Sequence, residues 1–208
     1  TPYEVRIVDN GTDHPKCVEL LERLERLPEG RKVYPLGKIA TMDELTGNFT
    51  TAIADAYQAA AFHGDWFAVT DADVCFDGSA PDTFDAYLRL AQATQNAVGP
   101  HLRTDAGISH GYPLRSRVLA AESRLLYRKW MEEHDGIYFS RLPIDTTFHL
   151  FPAISVFRRM RMNTLRVAPP YDAMHLDWYS NIFAPSEEND IYIPSGWSWG
   201  GSWIHDFW

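Results

Sequence analysis

The sequence lacks the features that define several large classes of protein. Its two cysteines, Cys17 and Cys75, have neither a metal-binding nor a redox spacing. No apolar run approaches the roughly 20 residues that a membrane-spanning helix requires, and no signal segment is recognisable. Repeats and low-complexity tracts are absent as well. We therefore expect reduced cysteines and a cytoplasmic protein without a transmembrane segment, for which peripheral attachment to the inner face of a membrane is allowed.

Positive charge is also scarce. The chain has 19 Lys and Arg against 28 Asp and Glu, which gives a formal net charge of −9. A nucleic-acid partner is not expected, because nucleic-acid phosphates attract basic surfaces. An acidic chain that binds a phosphorylated ligand needs local compensation, either from a divalent cation or from a few placed Arg and Lys side chains.

The pattern of apolar residues indicates strands alternating with helices. The predicted strands are 3–8, 32–36, 65–70, 97–102, 137–139 and 146–151, and the predicted helices are 14–27, 48–63, 81–94 and 116–130. This alternation predicts an α/β fold with a mostly parallel central sheet and helices on both faces. The segment from Ala168 onward is rich in aromatics, Pro and Gly, which indicates an irregular covering segment.

A carboxylate pair, Asp71 and Asp73, follows the most hydrophobic predicted strand. Ligands of open α/β sheets bind at the carboxyl ends of strands, and alternate residues of an extended segment face the same way. Two close carboxylates repel each other unless a cation such as Mg²⁺ or Mn²⁺ lies between them or one is protonated. The alternative is that Asp71 caps the following turn while Asp73 is a solvated loop residue.

Several short motifs occur together in a fixed order. They are Gly-Asn-Phe at 47–49, Gly-Asp-Trp-Phe at 64–67 and Asp-Ala-Asp-Val at 71–74, with further segments at 5–12, 98–105, 143–148 and 170–179. The ordered set resembles GT-A-fold nucleotide-sugar glycosyltransferases of the bacterial family-2-like group. The resemblance covers nearly the whole chain. It implies a single GT-A-like domain, with a nucleotide- and metal-binding half at 1–105 and an acceptor-side half with a C-terminal tail at 106–208.

The resemblance also implies an activity and its ligands. Such an enzyme moves a sugar from a nucleoside-diphosphate sugar, with a UDP-sugar favoured, to a hydroxyl acceptor such as a surface glycan. Asp71 and Asp73 would hold Mn²⁺ or Mg²⁺ and the donor phosphates, joined by His175, while Asp9 and Asn10 would lie by the nucleoside. For His175 the alternative is an ordinary half-buried histidine. A homo-oligomer is compatible with the sequence.

The remaining candidates follow from the chemistry of transfer. Inverting transfer requires a carboxylate that takes the acceptor proton. Asp145 is the first candidate for this base, although a sugar contact or a structural role fits it equally, and Glu122 is the second unless it lies on a solvated helix face. Arg103 is a candidate for neutralising the diphosphate, because the leaving group's charge must be met by cationic donors. The alternative for Arg103 is a surface residue.

Two departures from the family pattern keep other functions open. The opening strand-helix unit that clamps the nucleotide base is missing, and so is a late acidic pair, so the stereochemical outcome stays open. A metal-dependent nucleotidyl- or phosphoryl-transfer enzyme could use the same carboxylates, although no Gly-rich phosphate loop is present. A non-catalytic nucleotide-sugar-binding module of the same fold is the third possibility.

Overall fold

The chain divides into two compact units. The structure is a computed structural model and describes residues 6–9, 15–26, 32–35, 66–105, 107–112, 115–125, 131–142, 148–151 and 164–179. One unit contains residues 1–67 with 153–157, and the other contains residues 68–152 with 158–208. The predicted helix at 48–63 lies outside the described residues.

The first unit has the predicted order of strand, helix and strand. Strand β1 (Arg6–Asp9) precedes helix α1 (Pro15–Glu25), and strand β2 (Lys32–Pro35) pairs in parallel with β1 so that Ile7 lies opposite Val33. Parallel strands need a crossover connection, and α1 lies in that connection. Asp9, the last residue of β1, is paired with Pro35.

The second unit contains a six-stranded sheet. Its elements in chain order are β3 (Phe67–Thr70), β4 (Val74–Cys75), α2 (Thr83–Thr94), β5 (Ala97–Pro100), α3 (Arg115–Leu125), β6 (Met131–His134), β7 (Ile137–Ser140), β8 (Phe148–Phe151), β9 (Thr164–Val167), β10 (Met174–His175) and a 3₁₀ helix (Leu176–Tyr179). The strand order in the sheet is β3-β8-β5-β9-β7-β6, while β4 and β10 form a separate two-stranded sheet. No helix in the described part of the chain has the length and apolar character needed to cross a membrane.

The α/β class is confirmed, but the prediction of a mostly parallel sheet is wrong. Among the six-stranded sheet's pairs of described register, β5–β9 is parallel, whereas β5–β8, β7–β9 and β6–β7 are antiparallel. The β6–β7 hairpin turns at Asp135 and Gly136, which have φ of 48° and 79°. Two successive residues of positive φ permit a tight two-residue turn, so these strands reverse direction without a helical crossover.

Strand β9 is covered on both faces. All four of its residues are buried, and successive side chains of a strand point to opposite faces. On one face, Arg166 bonds to Glu122 of α3. On the other, Leu165 is in register with Val98 of β5, and α2 packs against β5 and β8. The centre of this sheet is therefore enclosed by two helices.

The segment after β9 carries the chain to the candidate site. Beyond Val167 the chain loops out and returns beside an extension of β5, where Leu102 bridges Ala173 in parallel. The backbone N–H of Ala173 donates to His101 O at 3.0 Å. Strand β10 then pairs antiparallel with β4, with His175 opposite Val74. This return places His175 next to the residues that immediately precede β4.

Candidate active site

The chain turns at the carboxylate pair and does not remain extended there. Strand β3 ends at Thr70, and Ala72 and Asp73 form a turn that leads into β4. The expectation that an extended backbone aligns the two carboxylates is therefore wrong, because side chains alternate only along an extended segment. Asp71 is exposed, whereas the side chain of Asp73 is 29% exposed.

Asp73 and His175, two of the three predicted metal ligands, are in contact. The Oδ2 atom of Asp73 lies 3.1 Å from Nδ1 of His175, whose side chain is 16% exposed. The backbone N–H of Leu176 donates to Asp73 O at 2.7 Å, which fixes the two segments together. Strand pairing and this bond together determine the separation of carboxylate and imidazole.

The contact of Asp73 with His175 has the distance of a hydrogen bond but not its direction. Nδ1 of His175 is buried and has no hydrogen-bond partner among the described residues. The two groups are therefore close but misaligned, and hydrogen bonds weaken steeply when the donor is misaligned. A buried imidazole nitrogen beside a carboxylate oxygen is an arrangement that a shared cation would satisfy.

A stacked indole fixes the plane of the His175 ring. The His175 and Trp178 rings are parallel, with an interplanar angle of 1° and centroids 5.2 Å apart. Trp178 is buried in an apolar cluster with Leu102, Ile108 and Ala173. Because the cluster holds the indole, the stacked imidazole cannot tilt freely away from Asp73.

The donor set fits part of a metal site. No group of three or more His, Cys, Asp and Glu side chains in the described part of the chain is arranged to hold a metal ion. Asp73 and His175 supply one carboxylate oxygen and one imidazole nitrogen. Mg²⁺ in enzymes of phosphate chemistry is commonly held by one or two carboxylates, with water and substrate phosphate oxygens in the other positions. The described residues therefore suit an open site more than a closed cage.

The Arg103 guanidinium bonds to a carboxylate of the protein, and its predicted role at the diphosphate stays a prediction. Its Nε donates to Oδ2 of Asp172 at 2.9 Å, and its Nη2 donates to Oδ1 of the same carboxylate at 3.3 Å. Nη1 donates to Asp77 O at 3.0 Å. The hydrogen bond to Asp172, which stabilises the charged guanidinium, raises the pKa of Arg103. Its charge is thus largely paired within the protein.

Glu122 lies in a buried cluster of charged and polar side chains. It is 3% exposed, and its Oε2 accepts hydrogen bonds from Arg166 at 3.0 Å and from the Leu102 backbone at 3.3 Å. The alternative of a solvated helix face is therefore wrong. A general base must come within hydrogen-bond reach of the substrate proton, and these contacts enclose the carboxylate within the protein. Its surroundings favour a structural role.

His101 is the third member of this buried cluster. Its Nε2 lies 3.1 Å from the backbone carbonyl oxygen of Glu122 and 3.4 Å from Oε2 of the same residue. Burial lowers the pKa of His101, and Arg166 acts in the same direction, while Glu122 and Asp172 oppose the shift. His101 and Arg166 were not singled out from the sequence. The only available signal was a charged residue flanked by apolar ones, Leu165-Arg166-Val167.

Two tyrosines, Tyr87 and Tyr179, stay protonated. Tyr87 of α2 donates its hydroxyl hydrogen to the backbone carbonyl of Tyr171. Burial raises the pKa of Tyr87, and the nearby carboxylate of Asp172 adds to the effect. Burial and the Asp105 carboxylate raise the pKa of Tyr179 to about 12. Both hydroxyls therefore remain neutral donors at physiological pH.

Three predicted residues receive no geometric test. Asn10 and Asp145 lie outside the described residues, so the three roles considered for Asp145 stay predictions. Asp9 ends β1 in the other unit, where its backbone is described and its side chain is not.

Comparisons with protein-family models, curated proteins and solved structures found no match to this chain.

Proposed function

We propose that this protein is a metal-dependent glycosyltransferase that moves a sugar from a nucleoside-diphosphate sugar to a hydroxyl acceptor. The observation that carries the proposal is the 3.1 Å contact between Asp73 Oδ2 and His175 Nδ1. These residues come from distant parts of the sequence, and they are the carboxylate and the late histidine that the family resemblance pairs at the metal.

The proposed roles follow from position and charge. Asp73 and His175 would hold Mn²⁺ or Mg²⁺, with Asp71 exposed on the same turn as a second carboxylate. When bound, the cation neutralises charge on the diphosphate as it leaves. Such neutralisation is needed because the chain carries a net charge of −9 and the Arg103 guanidinium is already paired with Asp172.

We also propose that the chain has a GT-A-like arrangement. A GT-A-like arrangement is supported by the parallel β1–β2 pair, by carboxylates that follow β3, and by the return of β10 to them. Asp9 and Asn10 remain the proposed nucleoside contacts and Asp145 the proposed base. A UDP-sugar is the favoured donor, and an inverting outcome is the favoured stereochemistry.

The test is a screen of nucleotide-sugars for Mn²⁺-dependent release of nucleoside diphosphate. Removing a group that stabilises the leaving charge typically costs roughly 100-fold or more in rate, so Asp73→Asn and His175→Gln should lose release to that extent. Asp77→Asn is the matched control, because Asp77 is exposed and lies on the next turn of the chain. No release from any common nucleotide-sugar, or equal release by the Asp73→Asn and Asp77→Asn variants, would contradict the proposal.

The same screen separates the alternatives. A nucleotidyl- or phosphoryl-transfer enzyme would break the bond between the two phosphates of a nucleotide-sugar, and would therefore release sugar 1-phosphate or nucleoside monophosphate in place of a nucleoside diphosphate. A non-catalytic binding module would bind nucleoside diphosphate in the presence of Mn²⁺ and release nothing from any donor.

A further inference from the structure

We infer that Arg103 and Asp172 are positioning residues of the Asp73–His175 site. Their ion pair fixes β10 beside β4 and thereby holds the imidazole against the carboxylate. The inference rests on the proposed function in one respect, namely that Asp73 and His175 are taken as metal ligands.

The Arg103 guanidinium joins the neighbouring ends of β4 and β10. Asp172 lies just before β10, and Asp77 lies just after β4. In an antiparallel pair the start of one strand lies beside the end of the other, so both residues occur at the same end of this small sheet. Arg103 donates to the Asp172 carboxylate and to Asp77 O, and so bridges that end.

The other end of the same sheet carries the site itself. There the Leu176 N–H donates to Asp73 O at 2.7 Å, next to the contact of Asp73 with His175. A two-stranded ladder is marginally stable by itself, and this one has two paired positions. Its register therefore depends on the contacts at its ends, which include the Arg103–Asp172 pair and the Leu176–Asp73 hydrogen bond.

The Arg103–Asp172 pair can hold the start of β10 in one orientation. The Asp172 side chain is 8% exposed and that of Arg103 is 21% exposed, and a guanidinium that bonds both oxygens of a carboxylate fixes orientation as well as distance. The backbone N–H of Arg103 donates to Ala173 O at 2.7 Å, and the Ser79 hydroxyl donates to Asp172 O. Three chain segments therefore meet at one ion pair.

Gly78 leaves space for this guanidinium. A Cβ atom at Gly78 would lie 3.2 Å from Nη1 of Arg103, and the residue has a φ of +78° that side chains rarely adopt. Glycine is the residue that permits both the backbone conformation and the close approach. The turn after β4 is thus shaped around Arg103.

The first measurement compares Arg103→Gln with Arg141→Gln. The control removes an exposed two-bond pair, in which Arg141 donates to Glu132 at 2.7 and 3.0 Å on the β6–β7 hairpin. Loss of groups that orient a metal ligand typically weakens metal affinity roughly 10- to 100-fold, so Arg103→Gln should raise the Kd for Mn²⁺ by that factor. Arg141→Gln should leave the Kd within about twofold of the wild-type value, because exposed ion pairs contribute little.

The second measurement requires no metal. In the wild-type protein, NMR should show the ring protons of His175 shifted by the stacked indole of Trp178. In the Arg103→Gln variant these signals should move toward the values of an unstacked histidine, whereas Arg141→Gln should not move them. Arg103→Lys keeps the charge beside Asp172 and loses the two-bond geometry, so it should give intermediate results and serves as the test if Arg103→Gln does not fold.

The outcomes distinguish the positioning role of Arg103 from the proposed metal site at Asp73 and His175. Wild-type Mn²⁺ affinity and unchanged His175 signals in both Arg103 variants would overturn the positioning role. If Asp73→Asn binds Mn²⁺ as tightly as the wild type, the proposed metal site fails. The positioning role is then decided by the His175 signals of the metal-free protein alone.

Discussion

A buried ion pair lies next to Leu102, whose backbone N–H donates to the Glu122 carboxylate. Arg166 and Glu122 are each 3% exposed and bond to each other at 3.0 Å, and His101 lies beside them. Breaking a buried ion pair by removing one partner typically costs about 3–5 kcal/mol, because the other charge stays buried without compensation. These residues therefore contribute to the stability of the fold.

His101 should make stability depend on pH. Burial lowers its folded-state pKa below the ordinary value of 6.5, so near and below that pH the unfolded chain binds more protons than the folded chain. The free energy of unfolding should therefore fall as pH decreases from neutrality through this window. Urea unfolding at several pH values should show this decrease in the wild type and a smaller one in His101→Gln.

The control for the pH prediction is His134→Gln. His134 lies on β6 with its side chain 41% exposed, so its removal should leave the slope of stability against pH nearly unchanged. A His101→Gln protein that keeps the full wild-type slope would show that other groups cause it. The charged groups that face His101 are Glu122 on α3, Arg166 on β9 and Asp172.

Some contacts of individual residues follow from the sequence and others do not. The resemblance paired Asp73 with His175, and the structure brings them into contact. Arg103 is a candidate for the diphosphate because the leaving group's charge needs cationic donors, but only the tertiary structure shows that Asp172 faces it. The sequence allows Glu122 to be either a base or a solvated residue. Its burial against Arg166 is visible only in the structure, because the two residues are far apart in sequence.

Among the elements, the short β10 strand has the largest effect on the candidate site. Leu176 follows it, is 44% exposed, and donates its N–H to Asp73 O. Leu176 is the first residue of the 3₁₀ helix, a position at which proline is tolerated. A residue that precedes proline prefers an extended backbone, and His175 already has one as the last residue of β10. Leu176→Pro therefore removes this hydrogen bond with little other disturbance.

Leu176→Pro should weaken both the fold and the site. Loss of one backbone hydrogen bond should lower the free energy of unfolding by about 0.5–1.5 kcal/mol. Misplacement of His175 should weaken Mn²⁺ binding roughly 10-fold, which is typical when a ligand loses its orientation. Isothermal titration with Mn²⁺ measures the second effect. The matched control is Leu176→Ala, which keeps the N–H, and equal affinities of the two variants would contradict the expected effect.

Elements with a regular spacing of apolar residues are predicted from the sequence, whereas the strands β6 and β9, which lack an uninterrupted apolar pattern, are not. Helix α2 is predicted within a few residues of its observed bounds, because apolar periodicity reports burial directly. Strand β3 is also found where its apolar run predicts it, but the expectation of a central strand covered on both faces is wrong, because β3 is an edge strand in which Ala68 and Thr70 are exposed. Strand β6 was missed although Asp135-Gly136 is a strong hairpin signal. Strand β9 was missed because Arg166 interrupts its apolar run, yet this strand lies inside the sheet.

For the whole molecule, net charge governs how a phosphorylated ligand can bind. At −9 the chain repels a nucleoside diphosphate at long range, so a divalent cation should be required. Thermal unfolding should show no shift with nucleoside diphosphate alone. With Mn²⁺ present, free ligand at about 100 times its Kd should add about 2.7 kcal/mol to the free energy of unfolding.

The control for this prediction is the Asp73→Asn protein, in which the shift caused by Mn²⁺ and nucleoside diphosphate together should be lost. An equal shift in wild-type protein treated with a chelator would show that binding does not require the cation.

The sequence by itself determined the α/β class, most of the element positions and the short list of residues suited to a cation. These properties follow from the spacing of apolar residues along the chain and from the chemistry of residues that are close together in the sequence. Only the tertiary structure decided the strand directions, the turn at Asp73 and the partners of Arg103 and Glu122. Those depend on which distant segments pack together, as when β10 returns to β4 and places His175 beside Asp73.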